Sequence, residues 1–109
     1  PATAKDNLRS HFAPYYATPV YNNFLAWSGN EDKAKTIAEG WAERDRNKTT
    51  GAMDDELVDE IASIGSAEEC HDRIREYADM GITTHIIACS SREHVQATNE
   101  AFTAKNFSF

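Results

Sequence analysis

Apolar side chains recur at helical spacing through the first half of the chain and change period in the second. Leu8, Phe12, Tyr15 and Tyr16 fall at i, i+4, i+7 and i+8, which draws one stripe along a helix over residues 5–17. Pro14 lies inside the stripe and is expected to kink or shorten that helix, because it lacks a backbone N–H and its ring crowds the preceding turn. Thr18 before Pro19 reads as an N-cap with proline at the first helical position. The helix it opens runs through Tyr21, Phe24, Leu25 and Trp27 to a stop at Gly29. Asn30 then caps a third helix, whose Ala34, Ile37, Ala38, Trp41 and Ala42 repeat the spacing. The polar stretch 44–51 breaks the pattern and reads as an exposed loop.

Beyond it, Asp54 caps a short helix over 55–60, and Ile61-Ala62-Ser63-Ile64 follows as an extended segment ending at Gly65. Ser66-Ala67-Glu68-Glu69 has the form of a capping box, in which the Ser66 hydroxyl accepts from the Glu69 N–H and the Glu69 carboxylate accepts from the Ser66 N–H. Cys70, Ile74, Tyr77 and Ala78 form the stripe of the next helix. Gly81, in Met80-Gly81-Ile82, is placed to end it in a left-handed conformation. Residues 83–88, with β-branched Thr84, Ile86 and Ile87, give the strongest strand pattern in the chain. Strand, helix and strand with tight connections predict a right-handed βαβ unit. The expected fold class is therefore α/β: a helical segment over 1–51, then a helix, the βαβ unit and a C-terminal helix over 52–109.

Such a unit leaves two open strand edges, and parallel strands are ordinarily flanked and covered. The aromatic helices before it carry more apolar surface than two short strands can bury. Either a second copy or a missing portion of a longer chain is expected to complete the structure.

Composition narrows the function classes. In 109 residues, 11 Lys and Arg face 18 Asp and Glu, a net charge of −7 that repels nucleic acid and anionic membrane surfaces. No apolar run approaches a membrane span, and the start at Pro1 carries no signal-peptide core, so a cytoplasmic protein is expected. Cys70 and Cys89 lack CxxC spacing, and His11, His71, His85 and His94 are scattered, so no metal site is expected.

The run Asp54-Asp55-Glu56-Leu57-Val58-Asp59, then Gly65-Ser66-Ala67-Glu68-Glu69, Arg73-Ile74, Tyr77-Ala78, Gly81-Ile82 and Thr84-His85-Ile86-Ile87, resembles the C-terminal end of the luciferase-like flavin- or F420-dependent oxidoreductases. Arg9-Ser10-His11-Phe12-Ala13-Pro14-Tyr15-Tyr16 and Thr18-Pro19-Val20-Tyr21-Asn22-Asn23-Phe24-Leu25 are similar to the helical insert before it, although Pro14 is less usual there. The resemblance implies the C-terminal portion of a (β/α)8 barrel, with its seventh strand at 62–65 and its eighth at 84–88. Strands one and six would be the missing neighbours. It also implies F420 or FMN as cofactor of the intact enzyme, with none held by this chain alone. The alternative is a non-catalytic α/β interaction module that self-associates through its open sheet edge.

Candidate site residues are few. Gly65 and Ser66 lie where a strand would meet a helix, and a cofactor anion can accept N–H bonds there. Glu68 and Glu69 occupy the same turn and favour plain helix capping instead. His85 is open to an acid, base or cofactor role or to a structural one. Cys89-Ser90-Ser91 can line a pocket, but no neighbouring histidine activates the thiol. No catalytic residue is assigned.

Overall fold

Helix α1 (Ala2–Ala17) runs through Pro14 and is not shortened there. The proline stands in the last turn, so the helix forgoes one internal hydrogen bond and ends a turn later. Thr18 adopts the extended backbone of a cap, but its hydroxyl donates back to the Tyr15 carbonyl at 2.6 Å rather than capping α2 (Pro19–Leu25). Asn22 ties this corner together, donating from Nδ2 to the carbonyls of Tyr16 at 2.9 Å and Ala34 at 2.7 Å.

A wide helical turn, Ala26–Asn30, follows and is stopped where foreseen, at Gly29 with φ +98°. Asn30 does not cap α3 (Glu31–Ala42). Its amide instead donates to Glu60 Oε2 at 3.1 Å, a partner supplied by a distant part of the chain. The buried face of α3 is also rotated from the expected stripe: Ala34, Ile37 and Gly40 are buried while Trp41 is exposed.

Residues 44–51 are not a loop. Asp45 accepts the Lys48 N–H at 3.0 Å and caps α4 (Arg46–Gly51), whose Thr49 is buried. Helix α5 (Asp55–Ile61) begins as expected, with the Asp54 carboxylate accepting the Leu57 N–H at 2.9 Å. These helices enclose a core of Ala13, Leu25, Ala34, Ile37, Met53 and Leu57, with Leu8, Tyr16 and Ile61 packed against it. Arg9 fastens α1 to the entry of α5 by donating to the Met53 carbonyl at 2.5 Å and pairing with Asp6 and Asp55.

Residues 2–89 and 91–109 are described by the computed structural model; Pro1, and Ser90 of the Cys89-Ser90-Ser91 segment, lie outside the described residues. The chain divides into two compact units, Pro1–Ala62 and Ser63–Phe109. In the second unit, α6 (Ala67–Asp79) carries the full capping box, with Ser66 N to Glu69 Oε2 at 2.7 Å and Glu69 N to Ser66 Oγ at 3.2 Å. It ends with Ile82 N bonded to the Tyr77 carbonyl at 3.1 Å and Gly81 N to the Ala78 carbonyl at 2.9 Å, around a left-handed Gly81. Helix α7 (Arg92–Ala101) is capped by Ser91, which accepts the His94 N–H. His71, Phe102 and Phe107 form a ring cluster with centroids 4.9 to 5.1 Å apart, and Arg75 lies over Phe107.

The α/β expectation is overturned: the described residues contain helices and no strand, so there is no βαβ unit and no portion of a (β/α)8 barrel. Residues 62–64 and 82–89 lie outside the helices but pair with nothing as a ladder. Ile86, in the middle of the expected second strand, is 93% exposed. The physical reason is that β-branched residues favour a pleated, half-covered surface rather than a strand in isolation. The alternative module loses its sheet edge for the same reason.

Candidate functional site

A cleft of about 520 Å³ opens between α1, α3 and α4. Its lining is largely apolar, from Ala13 and Pro14 on α1 and Gly40 and Trp41 on α3, and its polar rim includes Arg44 and Arg46. The sequence places these groups through a tight helix ending. Arg44 N bonds to the Trp41 carbonyl at 3.1 Å and Asp45 N to the Gly40 carbonyl at 2.8 Å, the bonding pattern found after α6. At the position that Gly81 occupies after α6, α3 has Arg44, with φ +57°.

The charges around this ending are distributed unevenly. Lys48 Nζ lies 3.1 Å from Glu43 and 3.5 Å from Glu39, and the hydrogen bond it donates to Glu43 raises the lysine pKa above its ordinary value. Asp45 is engaged by the Lys48 N–H. Arg44 and Arg46 form no ion pair or side-chain hydrogen bond among the described residues. Both lie in the polar stretch 44–51, whose pattern alone reads as loop and does not single them out; the local signal of a helix there is Asp45, an N-cap residue three positions before Lys48.

Trp41, an aromatic of the α3 stripe, lines this cleft, whereas Gly65, Ser66, His85 and Cys89 are not among its lining residues. At Gly65-Ser66 the Glu69 carboxylate accepts the Ser66 N–H, and a Cβ on Gly65 would collide with Glu69 Oε2. That bond holds the Glu69 carboxyl below the usual carboxylate range. A cofactor phosphate does not fit this turn while Glu69 fills it. His85 packs against the Phe109 ring at 5.5 Å, its Nε2 buried with no hydrogen-bond partner. Cys70 and Cys89 are free thiols, with Cys89 Sγ donating to Thr98 Oγ1 at 3.4 Å. Among the described residues no group of three or more His, Cys, Asp or Glu is placed to hold a metal ion, and no helix is long and apolar enough to cross a membrane.

A second surface feature lies on α1 and α2. Residues 10–30 contain no Asp, Glu, Lys or Arg, and on them Phe12, Tyr15, Val20, Tyr21, Phe24 and Trp27 are exposed. Tyr15 stands edge-on to Tyr21 at 6.0 Å, and Phe24 lies 6.0 Å from Trp27.

The family model for luciferase-like monooxygenases matches residues 1–84. The chain belongs to that family. This luciferase-like chain has no match among curated proteins or among solved structures. Membership places it with oxidoreductases of the monooxygenase kind, and the match takes in α1 through α6 together with the cleft.

Proposed function

We propose that this chain is the C-terminal segment of a flavin- or F420-dependent luciferase-like oxidoreductase and is catalytically silent alone. The family match over residues 1–84 carries the reading. Bound F420 or flavin would supply hydride or electron transfer, and the protein's part is to hold the reactive ring against the substrate. Two further observations support silence. The Gly65-Ser66 turn is filled by its own Glu69 carboxylate, so these residues meet a cofactor anion only after that side chain swings away. The exposed aromatics of α1 and α2 offer an apolar face to other chain segments or copies.

The test is a fluorescence titration of the purified chain with FMN and with F420, beside an activity assay of the native gene product. No saturation by the chain, with reduction or oxidation of one cofactor by the native product, is expected. Saturable micromolar binding of either cofactor to the chain would overturn the reading, as would a native product that turns over neither.

A further inference from the structure

We propose that the cleft between α1, α3 and α4 binds a small organic anion with an apolar body, of the aryl- or alkyl-carboxylate class, through Arg44 and Arg46. At about 520 Å³ the cleft falls in the range of small-molecule sites, and it joins an apolar lining to a few charged groups in the way such sites do. Trp41, 53% exposed at its wall, offers an aromatic face for the body of the ligand.

The charged end follows from the local accounting. Glu39 and Glu43 are held by Lys48, and Asp45 by the Lys48 backbone N–H, which leaves the Arg44 and Arg46 guanidiniums without partners among the described residues, in a chain of net charge −7. Guanidinium forks match a carboxylate by paired hydrogen bonds. With Asp45 also at the rim, the two arginines leave one net positive charge, which suits a monoanion better than a phosphate dianion.

Backbone geometry strengthens the assignment to Arg44. Among the described residues the two other left-handed helix stops, Gly29 and Gly81, are both glycines with φ +98°. At the third the chain holds arginine at φ +57°, a conformation that disfavours any residue with a Cβ. Arg44 holds this conformation while lining the cleft, a backbone outlier of the kind that clusters at binding sites.

Binding here needs neither flavin nor F420, so its test is independent of the redox one. The full 109-residue chain is titrated calorimetrically with 4-phenylbutyrate, with the neutral 4-phenylbutyramide and with inorganic phosphate. Saturable one-to-one binding of the acid is expected, roughly tenfold or more tighter than of the amide or phosphate. Arg44→Gly should weaken the acid by a similar factor while raising the melting temperature, a pairing that loss of fold cannot produce. Arg46→Gln should weaken it also, and Lys35→Gln, outside the cleft, should not. Absence of saturable binding to the unmodified chain, equal binding of acid and amide, undiminished binding by both arginine variants, or a lowered melting temperature in Arg44→Gly would each overturn the proposal.

Discussion

Gly40 on α3 and Thr49 on α4 meet so closely that a Cβ on the glycine would stand 2.6 Å from the Thr49 hydroxyl and 2.8 Å from its backbone nitrogen. One of these neighbours is backbone and cannot rotate away. Gly40→Ala should therefore force the two helices apart and destabilise the chain by roughly 1–3 kcal/mol in urea unfolding. Adding Thr49→Ala removes the hydroxyl contact but also the bond that this hydroxyl donates to the Asp45 carbonyl at 2.8 Å, so it should recover at most a minor part of the loss. Full recovery would mean that the backbone contact is unimportant.

The capping box of α6 makes a local prediction. Ser66→Ala removes the acceptor for the Glu69 N–H and should cost about 1 kcal/mol. Circular dichroism during denaturation reads this directly, and an unchanged midpoint would show that the box contributes nothing.

Acid should loosen helix ends in both units. The Leu57 N–H, and then Lys33, hold the Asp54 carboxyl below its ordinary pKa, and the Ser66 N–H does the same for Glu69. A carboxyl with a depressed folded-state pKa contributes stability that is complete above its unfolded value and is lost as pH falls through the folded one. Helicity should therefore hold from neutrality to about pH 4 and decline below it. Asp54→Asn should flatten part of that decline; an identical acid titration in the variant would remove Asp54 from the account.

Self-association through the uncharged face of residues 10–30 is expected, because it is where two copies of charge −7 can meet without opposing carboxylates. Sedimentation at high micromolar concentration should show a species larger than the 12.2 kDa monomer, and Trp27→Glu with Phe24→Glu should abolish it. A monomer throughout would count against this use of the face.

What the sequence disclosed follows a physical divide. Asp54, the Ser66–Glu69 box and the Gly81 stop were legible because each is completed within a few residues of itself. Asn30 was misread because its amide partner, Glu60, is 30 positions away. The strands over 62–65 and 84–88 were misread because a ladder depends on neighbours that β-branching alone does not supply. Helix α4 escaped notice because it has no apolar stripe; its cap and the tight space beside Gly40 define it, and the cleft escaped with it. The luciferase-like resemblance is independent of strand pairing because it rests on the order of local signatures.

The two self-contained ends of α6 set a sequence of events. None of its residues is buried, yet its first and last turns are both closed by hydrogen bonds to residues beside them. Its nucleation cost is thus lowered before any distant contact forms, and helix growth takes about a microsecond or less. The Phe107 ring can dock on His71 and Arg75 only after that surface exists. Ser66→Ala should consequently slow refolding, whereas Phe107→Ala should chiefly hasten unfolding, so the end of the chain acts as the latch on an already formed rod.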